Sequence, residues 1–214
     1  RQILTAATAL FIQKGYERTK ITDIAKLSGV PKSKILYVMN SKEEILGLLV
    51  TKFLDGVSSA SDRVSKKLTD DQVLILIANA VLQLYMAEMN EDMRNLYLAG
   101  YSMPITSEEV LKQRTDMIYK AFSKAFPEQE LKDFYETEIA SMGIMRAYMT
   151  VPCDMYFTIE AKAKRLVTML LRIYKAEDEK ITEALEFIEK IDFKAVAKKA
   201  VQSVFDELQI KMQS

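Results

Sequence analysis

Among side chains able to do chemistry, this 214-residue sequence offers a narrow selection: no histidine, a single cysteine (Cys153), and 30 basic against 30 acidic groups. Without histidine it lacks the commonest general base near neutral pH and the commonest metal ligand. Cys153 has no second cysteine for an intrachain disulfide, and no base is placed for it by sequence. No pair of carboxylates is identifiable on facing inner surfaces. No enzyme activity, catalytic residue, metal or cofactor is therefore expected, and what remains is recognition. Lys32, Ser33 and Lys34 stand together near the N-terminus, Tyr37 follows one turn on, and Lys42 opens the next helix. Cations and hydroxyls of that kind suit phosphate oxygens and guanine edges.

The charge distribution points the same way. Residues 1–50 hold eight basic and four acidic side chains, a net of +4, and the remainder carries −4. A basic head on an acidic body directs a polyanion to the head.

The elements that would position these groups are helical. Six Gly and four Pro are too few for a sandwich or barrel of many short strands. Ile3, Leu4, Ala7, Leu10 and Phe11 recur at helical spacing, and Gly15 sits where a left-handed stop belongs, giving a helix over 1–14. Thr19 reads as the cap of a second helix that ends by Ser28-Gly29; Pro31 opens a third, to about residue 39. Ser41-Lys42-Glu43-Glu44 reads as a capping box, Ser41 taking the N–H at 44 and Glu44 reaching back to the N–H at 41. A fourth helix runs from there to the mid-60s. Seven more follow, over about 70–90, 91–102, 107–126, 129–150, 154–176, 179–190 and 192–211, with caps at Thr69-Asp70, Thr106-Ser107, Asp154 and Asp192.

Ala25, Gly29 and Val30 have the spacing of a helix-turn-helix, with a small residue at the crossing and glycine in the turn. The stretch from Ile3 to about Leu49 also carries Ala6-Ala7, Phe11, Lys14-Gly15-Tyr16, Thr19, Ile24-Ala25, Ser28-Gly29-Val30, Lys32, Ile35 and Ser41-Lys42-Glu43-Glu44-Ile45-Leu46. In order and spacing it resembles the DNA-binding domain of TetR-type transcriptional regulators. The resemblance implies an all-α chain with a three-helix helix-turn-helix domain at 1–47 and a larger effector-binding and dimerisation domain at 48–214. It further implies a homodimeric repressor that reads a palindromic operator in double-stranded DNA and is released by a small hydrophobic effector. Carried over by position, Thr22, Lys32, Ser33, Lys34 and Tyr37 face DNA, Lys42 holds a phosphate, and Thr19 is counted with them. Lys34, Leu36, Val38 and Met39 depart from the family pattern, and Leu36 removes a hydroxyl contact to phosphate.

Beyond residue 49 the resemblance is only of length and helicity. Ala140, Gly143 and Ala147 form a small-residue stripe that permits close helix approach, and Ile159, Ala163, Leu166 and Leu170 line the next helix. Two such helices from each chain would make a four-helix dimer interface; packing within one chain is the alternative. Tyr85, Met89, Tyr97, Tyr101, Met117, Phe122 and Met145 form a soft, aromatic set suited to an apolar effector cavity, though such residues also build ordinary cores. Arg146, inside an apolar run, is a candidate anchor for an acidic ligand, or a partner for Glu138 or for a second chain. A DNA-localised adaptor whose body binds another protein, with no small-molecule switch, is the competing reading. No apolar run is long enough to span a bilayer, and a cytoplasmic location without membrane contact is expected. No Met precedes Arg1, which leaves room for an N-terminal arm ahead of it.

Overall fold

The computed structural model describes residues 2–124 and 126–208 and contains eleven α-helices and no strand among them. Arg1, residue 125 and residues 209–211 of the expected last helix lie outside the described residues.

The head is built from α1 (Gln2–Lys14), α2 (Ile21–Ser28) and α3 (Lys32–Met39). Its core is small and apolar: Ala6, Ala7 and Phe11 of α1 meet Ile24 of α2 and Ile35 of α3, all buried. Gly15 (φ 82°) and Gly29 (φ 69°) supply the two left-handed corners that let three short helices fold on one another. Pro31 caps α3 just before its first residue.

Helix α4 (Lys42–Ser65) crosses the expected boundary at 47/48 unbroken, with Ile45 and Leu46 in the head–body seam and Phe53 and Val57 deep in the body. Ser41 accepts the N–H of Glu44 at 3.0 Å as expected. The reciprocal half of the box does not form. Glu44 accepts from the Asn40 amide, and the Ser41 N–H turns back to the Met39 carbonyl around Asn40 at φ 38°.

The body is organised around α5 (Gln72–Ala87), an apolar helix buried almost all round, as its sequence LILIANAVLQL demands. Around it pack α4, α6 (Glu91–Ser102), α7 (Pro104–Phe122), α8 (Leu131–Thr150), α9 (Ile159–Ile173), α10 (Asp178–Glu189) and α11 (Phe193–Leu208). Helix α6 lies so close to α4 that a Cβ on Gly100 would stand 2.8 Å from Val50 Cγ2. Helix α6 also touches α1, so head and body share a contact besides α4.

Several helix starts differ from expectation for local reasons. Lys20, not Thr19, is the N-cap of α2 and its N–H is taken by Asp23 at 3.0 Å. Asp71, not Thr69-Asp70, caps α5, accepting from Val73 and Leu74. Helix α7 begins at Pro104 because proline fits its first turn, which puts Thr106 inside the helix. Asp154 accepts the N–H groups of Tyr156 and Phe157 and forms a turn, so α9 starts only at its true cap, Thr158. Asp192 does cap α11, accepting from Ala195.

Candidate nucleic-acid interface and ligand cavities

Helix α3 can face a groove because only its inner edge is held, by buried Ile35 and half-buried Met39. Its opposite side carries Lys32, Ser33 and Lys34 in the first turn, all exposed, and Tyr37, which is 87% exposed. Neither Lys32 nor Lys34 meets a carboxylate among the described residues, so both ammonium groups are free for phosphate or base edges. Thr22 is exposed on α2. Lys14, by contrast, is spent on Asp23 at 2.6 Å, a hydrogen bond that holds the Asp23 carboxyl below its ordinary range. Lys42 is held from below, its Nζ donating to the Tyr16 carbonyl at 2.8 Å and lying over the Tyr16 ring.

Thr19 is the exception in the expected DNA-facing set. It is 1% exposed, and its hydroxyl donates to the carbonyls of Gly15 (2.8 Å) and Leu10 (3.3 Å), closing the turn after α1. Its role is to hold the head together. Val38, which sequence reasoning treated only as a departure, is 52% exposed beside Tyr37, and an apolar side chain there suits a thymine methyl.

The two stripes read as a dimer interface part company. Ala140, Gly143 and Ala147 lie exposed on α8, and a Cβ at Gly143 would meet nothing within 4 Å. Ile139, at 54% exposure, and Tyr135 extend that face. Ala163, Leu166 and Leu170 of α9 are instead buried in the chain's own core and Ile159 is half-buried, because α9 turns its apolar stripe toward α5 and α8.

The expected effector residues are likewise divided. Tyr97, Phe122 and Met145 are core: Tyr97 donates to Met86 Sδ, and Phe122 stacks on Tyr174 at 5.0 Å. Met117 is half-buried against the core. Tyr101 and Arg146 line a cavity of about 350 Å³ between α7 and α8, with Arg146 itself exposed. A cavity of about 400 Å³ lies by Phe126, Phe134 and Tyr174. Tyr85 and Met89 line a cleft of about 940 Å³ between the end of α5, the 151–158 connection and the start of α11.

Two buried ionic groups escaped the sequence reading. In the first, Arg114 of α7 bonds Glu138 of α8 through Nε and Ser141 through Nη2 (3.2 Å), while Tyr174 donates to the other oxygen of Glu138. Glu138 thus pairs with Arg114, not Arg146. Burial, with Glu138 beside it, pushes the Tyr174 hydroxyl well above its ordinary value. In the second, Glu88 at the end of α5 accepts from Lys162 of α9 (2.5 Å), Arg94 of α6 (2.9 Å) and the Cys153 N–H (3.2 Å). Burial raises the Glu88 carboxyl, but these donors outweigh it and hold the group below its usual value. Burial pushes the Cys153 thiol up, so the one cysteine is a poor nucleophile. Glu138 and Arg114 are 24 residues apart and Glu88 and Lys162 are 74 apart, separations that periodicity does not register.

No helix among the described residues is long and apolar enough to cross a membrane. Residues 3–49 match the family Bacterial regulatory proteins, tetR family. Over 80 residues the chain is 32% identical to a probable HTH-type transcriptional regulator, YttP, of Bacillus subtilis strain 168; the match spans 36% of this chain and 39% of that protein's length. The crystal structure of RolR in complex with resorcinol shares the fold at a TM-score of 0.63 and 15% identity, over 87% of this chain and 90% of that one. Full-length TylP, a tetR regulator from Streptomyces fradiae, gives 0.52 at 18% identity over 97% and 96%. Residues 3–49, the first three helices and the start of the fourth, are therefore a helix-turn-helix domain of the tetR type found in bacterial regulatory proteins.

Proposed function

We propose that this protein is a DNA-binding transcriptional repressor that acts as a homodimer on a palindromic operator and is released by a small, largely apolar effector. The observation that carries the reading is the outer face of α3: Lys32, Ser33, Lys34 and Tyr37 exposed together, two ammonium groups without carboxylate partners among the described residues, on a helix fixed by glycine corners. Its supports are the exposed small-residue stripe on α8, which leaves room for a second copy, and body cavities of small-molecule size. RolR is a structural neighbour that was crystallised with resorcinol, a small aromatic ligand. A cleft of about 940 Å³ favours a ligand switch over a pure adaptor.

Fluorescence anisotropy of the full chain with intergenic DNA from upstream of its own gene tests this. Affinity is expected to fall steeply with salt, log K against log[salt] sloping by roughly −0.9 per neutralised phosphate. A flat salt response, or equal binding to operator and scrambled duplex, removes the assignment. Release of that DNA by a metabolite extract is the expected sign of the switch.

A further inference from the structure

The cleft beside α5 combines an aromatic wall with a buried ionic cluster. Its walls are apolar and aromatic: the rings of Tyr85 and Phe193 lie 5.5 Å apart, flanked by Ile159, Ile191 and Ala197. Its floor is the Glu88 cluster. There two cations, Lys162 and Arg94, share one carboxylate, with side-chain exposures of only 0%, 15% and 9%. The floor thus holds one positive charge more than its own groups neutralise, in surroundings where an unbalanced charge is costly. Arg94 is also under-bonded: Nη2 reaches Glu88, but the buried Nε–H has no acceptor among the described residues. The charges at the rim do not answer this. Asp154, Glu160, Asp192, Lys194 and Lys198 are all exposed, where water and salt screen them, and Asp154 and Asp192 already accept backbone N–H groups.

We propose that this cleft is the effector site and that its ligand is a flat apolar molecule bearing a single carboxylate, seated against the paired rings of Tyr85 and Phe193 with its anionic end toward Arg94. The inference rests on the regulator reading above and names the ligand class and place it leaves open. Arg146, the anchor expected from sequence, lines a smaller cavity on the α8 face offered to a second copy and is the weaker choice. The position also gives the ligand something to move. The donors to Glu88 come from α6, α9 and the 151–158 connection, and α6 rests on both α4 and α1 of the head. A carboxylate that competes with Glu88 for Arg94 loosens α6 from α5.

Fluorescence titration of the full chain with naphthoate, naphthamide and naphthylmethylammonium, without DNA, separates the charge requirement from shape. Naphthoate is expected to bind about tenfold or more tightly than either counterpart, the worth of one charge-assisted hydrogen-bonded contact. Arg94→Met should bring it down to the level of the amide in protein whose circular dichroism is unchanged. Ile159→Trp, on the half-buried wall, should weaken all three ligands, and it decides the matter with the wild-type series if Arg94→Met does not fold. Equal binding of the three, a preference for the cation, no measurable naphthoate binding, or naphthoate affinity untouched by Ile159→Trp overturns the proposal. Because the titration omits DNA, protein that binds its operator but ignores ligand charge defeats this inference alone. Protein that prefers naphthoate but ignores duplex DNA defeats the regulator reading instead.

Discussion

The ammonium of Lys42 lies 4.1 Å from the centre of the Tyr16 ring and donates a 2.8 Å hydrogen bond to the Tyr16 carbonyl, fastening the first residue of α4 to the turn after α1. The same residue sits at a helix N-terminus, where backbone N–H groups favour phosphate. Replacing it therefore acts twice. Lys42→Met should lower DNA affinity several-fold on every sequence alike, reduce the salt slope by about 0.9, and cost roughly 0.5–1 kcal/mol of stability through the lost ring contact. Lys42→Arg should keep most of both. Anisotropy at several salt concentrations and a urea melt check it; an unchanged salt slope would show that Lys42 braces the head without touching DNA.

Ser33 and Lys34 stand in the first turn of α3, where side chains reach base edges. Ser33→Ala and Lys34→Gln should therefore change which operator bases are preferred, by about 1–3 kcal/mol at the position read. Selection of bound duplexes from a randomised pool would reveal it. Loss of affinity with an unaltered consensus would assign these residues to the phosphate backbone.

How far the sequence reached follows from the physics each part depends on. Helix number and order were legible because apolar spacing and breakers such as Gly15, Gly29 and Pro31 are local signals. The exposed face of α3 was legible for the same reason, since a short helix with one inward isoleucine leaves little choice. Thr19 was misread because a threonine before a helix usually caps it, and nothing local shows that the carbonyls of Leu10 and Gly15 are nearer. The partners of Glu138 and Glu88 were illegible. Arg114 and Lys162 lie 24 and 74 residues away from them, and only the packing of the body brings them together. The α9 stripe failed likewise: apolar spacing says that Leu166 and Leu170 face something, not whether it is the same chain.

The exposed α8 face gives a direct test of assembly. A symmetric interface meets itself, so one substitution acts on both copies. Ile139→Asp together with Gly143→Glu should turn a dimer into a monomer in sedimentation velocity at micromolar concentration. Both positions are exposed in the single chain, so its thermal midpoint should move little beyond what the lost partner supplied. Operator affinity should fall with the dimer. A variant still dimeric would move the interface elsewhere.

Gly100 permits the close approach of α6 to α4. A Cβ there would lie 2.8 Å from one Val50 methyl and 3.2 Å from the other, and a β-branched side chain in a helix has little freedom to turn aside. Gly100→Ala gains about 1 kcal/mol in helix propensity but should lose about 1–3 kcal/mol to overpacking. Val50→Ala in the same chain should recover the loss, giving a favourable coupling in a double-mutant cycle by chemical denaturation. Additive effects would mean that the helices separate freely.

Glu88 predicts how the body responds to acid. Its carboxyl is more acidic in the folded chain than in the unfolded one, because Lys162, the Cys153 N–H and Arg94 favour its charged form. A depressed folded value means that the unfolded state takes up the proton first. The stabilisation is therefore complete above the ordinary glutamate range near 4.3 and drains away as pH falls through the lower folded value. Protonation there would leave Lys162 and Arg94 side by side in the interior without their shared counter-ion. The thermal midpoint should drop by several degrees between pH 5 and pH 3, read at high salt to mute surface charges. Glu88→Gln should start lower at pH 5 and flatten the drop, since it has no proton left to bind. A Glu88→Gln curve parallel to wild type would place the acid sensitivity in other carboxylates, Asp71 beside Lys180 foremost.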